Sequence, residues 1–232
     1  MKKYFLLLIT LFATITIVSA QENKDESPKI HKPSSKQERI LFNFMLDSWM
    51  KTPPGIATNW IKSRSFEFYL MADKAFANEH LGIAYGLGIS STNVNSNARF
   101  DQINNNTILN PIDSMQYNMN KLSTNYIEIP LELRFRTSHI HNGNRFKIAI
   151  GAKAGYLLQD HLKFVSDIIK EKFYNTPNIN PFRFCATGRI GYGKFSLTGF
   201  YGLNTLFKSG SSGVIPFGVG ITFTPTFGGV SL

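Results

Sequence analysis

The sequence of 232 residues has one cysteine, Cys185, and beyond its first twenty residues it has no apolar run long enough for a membrane helix. An intramolecular disulfide is therefore excluded. The basic residues are scattered and form no stripe, so the net charge of +10 does not indicate a nucleic-acid partner. We expect this charge to favour anionic lipid headgroups, and we expect the fold to be stabilised by backbone ladders between strands.

The N-terminus has the pattern of an export signal. Two lysines precede an apolar segment at residues 4–18, and small residues lead to a cleavage site after Ala20. This pattern predicts a cleaved signal peptide over residues 1–20, whose removal lowers the net charge from +10 to +8. Residues 21–38 are charged, contain two prolines and offer little to bury. They predict a short disordered leader in the periplasm.

The segment from Tyr126 to Arg136 alternates between apolar and charged side chains. One strand face carries Ile127, Ile129, Leu131, Leu133 and Phe135, and the other carries Glu128, Glu132, Arg134 and Arg136. This period of two is typical of a strand with one apolar and one polar face.

Further segments follow the same period. In all, eight strands are predicted, at residues 39–48, 61–72, 80–92, 124–137, 146–158, 181–190, 194–203 and 214–224. Their connections alternate between short turns, such as Asp73-Lys74 and Gly191-Tyr192-Gly193, and long loops. This alternation predicts an eight-stranded antiparallel up-and-down transmembrane β-barrel over residues 39–224, with a tail at 225–232. We expect the loops at 93–123 and 159–180 to face the cell surface.

The apolar face could point to lipid, as in membrane barrels, or inward, as in lipocalin-like barrels. An eight-stranded interior is only just wide enough to be filled by side chains. Glycines on the polar face leave room there for long charged side chains, which favours the membrane orientation. The charged residues expected in the lumen are Asp47, Glu67, Glu128, Glu132, Arg134, Arg136, Lys147, Lys153, Arg183 and Arg189.

Unpaired charge in so narrow a barrel is expensive, so these residues predict an internal salt-bridge network with a structural role. In particular, we expect Arg134 and Arg136 to pair with carboxylates. The predicted partners are Glu67, Glu128, Glu132 and Asp47. The functional alternative is an ion path through the lumen.

Pro130 and the aromatic residues near the strand ends give two further predictions. Pro130 lacks an N–H group within a closed ladder, so we expect a local bulge there. Aromatic residues near the predicted strand ends suit girdles at the membrane interfaces, and these are Trp49, Trp60, Tyr126, Tyr156 and Tyr201.

The sequence offers no strong catalytic or metal constellation. Glu128 and Glu132 would lie about 13 Å apart on one strand, too far for a carboxylate pair. His139 and His141 share one turn without carboxylate or thiolate support. The remaining histidines of the predicted barrel, His80 and His161, have no evident serine and acid partners for a hydrolase. No cofactor, metal or catalytic residue is predicted.

The chain resembles the PorT-type outer-membrane β-barrel proteins of Bacteroidota over roughly residues 39–224. The segments that carry the resemblance are Ser63-Arg64-Ser65-Phe66 with Asp73-Lys74, Gly86-Leu87-Gly88-Ile89, Tyr126 to Phe135, Gly151 to Tyr156, and Arg189 to Gly193. The resemblance implies an eight-stranded barrel in the outer membrane of a Gram-negative bacterium. It also implies a link to type IX secretion, the process with which the member that gave the family its name is associated.

The function expected is that of a non-enzymatic barrel with an occluded lumen, a structural or interaction component of the cell envelope. Its expected partners are outer-membrane lipids and envelope or secretion-complex proteins, with no nucleic acid and no identifiable small-molecule substrate. The alternatives are a narrow channel for small solutes and a lipid-modifying barrel enzyme.

Overall fold

The computed structural model describes residues 39–76, 80–113, 116–137 and 144–225, all within one compact unit. The predicted signal peptide and leader, the histidines at positions 139 and 141, and the tail from residue 226 lie outside the described residues. The strands are β1 (Ile40–Met50), β2 (Arg64–Ala75), β3 (Leu81–Asn95), β4 (Ala98–Ile103), β5 (Asn106–Pro111), β6 (Met119–Arg136), β7 (Phe146–Val165), β8 (Lys170–Tyr174), β9 (Phe182–Tyr192), β10 (Phe195–Gly202) and β11 (Ile215–Phe223). Within the described ranges, no helix is long and apolar enough to cross a membrane.

Eight of these strands close into a barrel. Its strand order is β1-β2-β3-β6-β7-β9-β10-β11, and β11 pairs back onto β1. Every neighbouring pair is antiparallel. The predicted eight-stranded antiparallel barrel is therefore confirmed.

The connections alternate in length around the barrel, as predicted. Short connections lie at 76–80, 137–145 and 193–194, on the rim where the described chain also enters and leaves. Long connections lie at 51–63, 96–118, 166–181 and 203–214, on the opposite rim. We call these the short-turn rim and the long-loop rim.

Two of the predicted loops contain additional strands. Residues 98–111 form a β4–β5 hairpin that is separate from the barrel sheet. Its turn residues Asn104 and Asn105 both have positive φ, at 49° and 64°, as a type I′ hairpin turn requires. In addition, β7 continues to Val165 and pairs with β8 beyond the barrel. We call this second hairpin, residues 157–174, the arm.

The barrel wall separates an apolar outside from a polar inside. Outward side chains such as Phe44, Ile129 and Leu197 are 60%, 61% and 63% exposed. Glycines admit the inward side chains at close quarters. A Cβ on Gly88 would overlap the Tyr69 ring, so only glycine accommodates that ring.

The structure corrects the prediction of a bulge at Pro130. The register shift between β6 and β7 falls at Asn125/Tyr126 instead. Opposite Pro130, the β3–β6 ladder omits the pairs of Gly86 and Leu87 and then resumes in the same register. A local gap in one ladder is sufficient to accommodate the missing N–H group.

The girdle prediction is wrong for two of its five aromatic residues. Trp60, Tyr156 and Tyr201 are exposed, at 55%, 51% and 40%. Trp49 and Tyr126 are instead buried, at 6% and 1% exposure, because both project into the barrel.

Candidate functional site

The centre of the lumen holds two carboxylates and two cations. Arg183 on β9 and Lys153 on β7 both contact Glu128 on β6, with the Arg183 Nε 3.1 Å and the Lys153 Nζ 3.3 Å from its carboxylate oxygens. Lys153 also forms an ion pair with Glu67 on β2. The Tyr69 hydroxyl hydrogen-bonds to both glutamates. All four charged side chains are at most 5% exposed, and this central group is neutral overall.

Neighbouring side chains satisfy and cover these cations. The Arg183 guanidinium donates to the hydroxyls of Ser90 and Thr92, at 2.8 and 3.2 Å. It also lies 4.2 Å from the centre of the Tyr126 ring, while the Lys153 ammonium lies 4.6 Å from that of Phe200. Both distances are suitable for cation–π attraction.

A second charged group lies towards the short-turn rim. Arg134 contacts Glu132 at 2.7 Å and Asp73 at 3.0 Å. Arg136 forms an ion pair with Asp73, and Arg189 on β9 contacts Glu132 at 3.0 Å. Residues from β2, β6 and β9 therefore meet inside the barrel, because all of them project from the inward face.

The partners differ in part from those predicted. Arg134 does contact Glu132, but the partner of Arg136 is Asp73, a residue that the sequence pattern assigns to a turn. Asp73 is on the inward face of β2, six residues after Glu67, and this period of two is the signal that identifies it. Asp47 is buried but forms no ion pair among the described residues. Lys147 is half-buried and donates from its ammonium to the Gly193 carbonyl.

An apolar cluster closes the long-loop rim. Its buried members are Trp49, Ile56, Val94, Ala98, Leu109, Leu122, Ile179, Leu206, Phe207 and Val214. They come from the ends of barrel strands and from all four long connections. We call this cluster and the loop segments that supply it the cap.

Hydrogen bonds between different loops hold the cap together. The Thr107 hydroxyl on β5 donates to the Pro177 carbonyl at 2.8 Å. The Leu109 N–H donates to the Ser212 hydroxyl at 3.0 Å, and the Ser212 N–H donates to the Thr107 carbonyl at 2.9 Å. The β4–β5 hairpin is thereby fixed to two other connections, so residues predicted to form a plain surface loop cover the mouth of the barrel.

The space left inside is very small. One interior cavity, bounded by Glu67, Tyr69 and Lys153 among others, has a volume of about 20 Å³. A second cavity beneath the cap, beside Trp49 and Arg183, has about 10 Å³. A single water molecule requires about 10–15 Å³ by this measure. Each of these two cavities therefore has room for about one water molecule.

The remaining reactive side chains have structural surroundings. His80 Nδ1 lies 3.0 Å from the Arg136 carbonyl, and His161 packs against the Tyr174 ring. Cys185 is fully buried beside Met45 and Phe200. In the part of the chain that the structure describes, no three His, Cys, Asp or Glu residues are placed to hold a metal ion.

Comparison with known proteins identifies the family. Residues 42–208 match the model of the outer membrane protein beta-barrel domain. The chain belongs to this family. Among solved structures, this outer membrane protein is similar to Ail, the attachment invasion locus protein of Yersinia pestis, with 12% identity and a TM-score of 0.35. That match covers 79% of this chain and 95% of Ail. No curated protein matches the sequence.

Family membership and the closed barrel place this protein in the outer membrane. The outward face fits that location, since each of the eight barrel strands carries large exposed apolar side chains. Members of such barrel families are generally not enzymes.

Proposed function

We propose that this outer membrane protein is a non-conducting, non-enzymatic barrel that serves as a structural or interaction component of the cell envelope. The observation that carries the proposal is the filled lumen. Buried ion pairs occupy its centre, and the cap covers one end. Solute passage would require both the ion pairs and the loop–loop hydrogen bonds to separate.

Conductance in planar bilayers tests the non-conducting barrel. The purified protein should give no sustained current. Heat-dependent mobility in electrophoresis should show in the same preparation that the barrel is folded, so that a silent bilayer does not reflect failed insertion. Stable ohmic channels from the folded protein would refute the proposal and favour a narrow channel.

The arm is the best candidate for protein interaction. Its strand β8 ends the sheet, so the outer edge of β8 has no strand partner among the described residues. Ile168 at its tip is 93% exposed, and Phe173 and Tyr174 are 53% and 51% exposed. Unpaired strand edges with exposed apolar side chains readily accept a further strand. We expect the long-loop rim to face the exterior.

The resemblance to PorT-type proteins adds a narrower proposal, that the partner belongs to a type IX-like secretion complex of a Gram-negative bacterium. Because the native cysteine is buried, Ile168→Cys would provide one accessible thiol. A membrane-impermeant maleimide should label it on intact cells. A thiol-directed crosslinker should then capture a defined envelope protein from Ile168→Cys and not from the control Ser209→Cys on another loop.

Three outcomes of this experiment would contradict the proposals. Lack of labelling on intact cells would reverse the assignment of the rims. Identical crosslinks from both positions would remove the special role of the arm, and a captured partner outside any secretion complex would overturn the narrower proposal.

The N-terminal segment gives a further proposal, which concerns export. We infer that residues 1–20 are removed as a signal peptide and that residues 21–38 form a leader in the periplasm. N-terminal sequencing of the protein from outer membranes should begin at Gln21. A start at Met1 would contradict cleavage.

A further inference from the structure

A row of cationic side chains crosses the outer wall at the long-loop rim. Lys121 on β6 lies directly opposite Lys163 on β7, and Lys163 lies directly opposite Lys172 on β8. On the other side Lys121 is opposite Asn95 on β3, whose amide donates to the Lys62 carbonyl at 2.8 Å. The residues beside Lys121 and Lys163, Leu122 and Leu162, pack into the cap, so the lysines point outward.

This arrangement is unfavourable for the protein alone. Directly opposed side chains lie about 4.5–5.5 Å apart at Cβ, and like charges in such positions destabilise a sheet. Within the described ranges, Lys62, Lys121, Lys163 and Lys172 form no ion pair with a carboxylate. The ammonium of Lys172 lies over an aromatic face, 4.8 Å from the centre of the Tyr174 ring. A row of opposed lysines that no described carboxylate pairs with is suited to binding an external anion.

An open cleft adjoins the row. It has a volume of about 600 Å³ and is bounded by residues 57–62, 95–97 and 117–120. Trp60, Ile61 and Met119 contribute exposed apolar surface, at 55%, 61% and 37% exposure. Lys62 also lines the cleft.

The polar lining of the cleft is held in place by the protein. The Asn59 side chain accepts from the Lys62 N–H at 3.1 Å, and that of Asn97 accepts from the Ala57 N–H at 2.7 Å. Asn118 donates from its amide to Asp167 at 2.7 Å. Oriented amides beside aromatic rings suit sugar hydroxyls and sugar ring faces, and the volume is that of a ligand site.

The height of the lysine row relative to the membrane limits which kinds of anion could bind it. Lys121 is six residues beyond Ile127, an apolar residue of the outward face of β6, which corresponds to about 20 Å along the strand. Strand tilt of about 40° reduces this to a height of about 15 Å above Ile127. The polar layer of a simple bilayer is only about 5–8 Å thick on each side. The row therefore lies above phospholipid phosphates, at the level of a larger headgroup.

We propose that the lysine row and the adjoining cleft bind the phosphorylated saccharide portion of a membrane glycolipid. The lysines contact phosphate groups, and Trp60 with the asparagine amides contacts the sugars. This site rests on the proposed exterior position of the long-loop rim, but because it is on the outer wall it does not depend on whether the lumen conducts.

The fluorescence of Trp60, which lines the cleft, reports directly on binding at this site. In a Trp49→Phe background Trp60 is the one remaining tryptophan. Nanodiscs of zwitterionic phospholipid that contain increasing amounts of purified lipopolysaccharide should shift Trp60 emission in a saturable manner. Each of the substitutions Lys121→Gln, Lys163→Gln and Lys172→Gln should weaken this binding about fivefold. The exposed loop variant Lys208→Gln should bind as the parent does.

The stability of the lysine variants distinguishes a role of the lysines in binding from a role in folding. The triple lysine variant relieves repulsion between the strands, so its urea midpoint should stay level or rise while binding falls by about a hundredfold. If Trp49→Phe impairs folding, co-migration of the protein that retains both tryptophans with lipopolysaccharide on native gels provides the same comparison.

Three results would overturn the proposal. The first is equal binding by the parent and the triple variant. The second is an equal response to phosphatidylglycerol nanodiscs or to dephosphorylated lipopolysaccharide, which would indicate general attraction to anionic lipid or recognition without phosphate. The third is equally tight binding of the deacylated, water-soluble phosphorylated saccharide, which would indicate a soluble ligand.

Discussion

Removing the charge of Glu128 provides the sharpest test of the lumen. Its carboxylate is fully buried and contacts Arg183, Lys153 and the Tyr69 hydroxyl. Glu128→Gln keeps the shape of the side chain but removes the carboxylate that Arg183 contacts and leaves Lys153 with Glu67. The substitution therefore changes charge balance with little change in packing.

The expected loss is large because the cations remain desolvated. Breaking a buried pair by removing one partner costs about 3–5 kcal/mol, whereas an exposed ion pair contributes only about 0–1 kcal/mol. Glu171 on β8 is exposed, so Glu171→Gln should change the free energy of unfolding by less than about 0.5 kcal/mol. The double variant Glu128→Gln/Lys153→Met restores charge balance and should recover part of the loss.

Urea unfolding in lipid vesicles, followed by tryptophan fluorescence, measures these differences, since Trp49 is buried in the cap. The same ranking applies to Glu132→Gln, because that carboxylate contacts two arginines. Equal and negligible losses from Glu128→Gln and Glu171→Gln would mean that the lumen is hydrated, and the closed-lumen argument would fail.

Three further predictions concern other parts of the wall and the cap. Gly88→Ala should destabilise the barrel by about 1–3 kcal/mol, because its Cβ would collide with a carbonyl and the Tyr69 ring, whereas Gly188→Ala has open space and should be neutral in the same urea assay. Ser212→Ala leaves a buried N–H of β5 without its acceptor, so hydrogen exchange at that amide should accelerate while the barrel strands are unaffected. The hydrogen bond from Asn110, followed by that from Arg99, lowers the pKa of Asp101 below its usual 3.8, so Asn110→Ala should raise this pKa in an NMR titration. Because the folded pKa is the lower one, Asp101 stabilises the β4–β5 hairpin above the unfolded value, and this contribution is lost as the pH falls through the folded value.

Strand periodicity predicts the barrel well because each barrel strand separates lipid from a polar interior. At Ile127 to Arg136 the alternation alone assigns every side chain to its face. Alternation of side chains identifies a strand only where one of its two faces meets apolar surroundings. Beyond the membrane β8 is exposed on both faces, and Lys163 to Lys172 shows no clear period, so the arm is not predicted.

The cap and the partners inside the lumen require information about tertiary structure. Asn104-Asn105 is a usable hairpin signal, but the docking of that hairpin on Ser212 joins residues about a hundred positions apart. Likewise, the sequence predicts several inward carboxylates that could pair with Arg136. Only the stagger between β2 and β6 determines that Asp73 is its neighbour.

The ion pairs of the lumen also constrain how the barrel assembles. Glu67 meets Lys153 across 86 positions of sequence, and β1 reaches its second neighbour only when β11, the final strand, is in place. Until the ends of the sheet join, the face of the sheet that carries these charges is not enclosed, and the charges must stay hydrated, since bare charges in hydrocarbon are too costly. Insertion must therefore proceed through a water-containing intermediate. Its final step expels that water as the first and last strands meet, so strand joining and dehydration of the interior occur together.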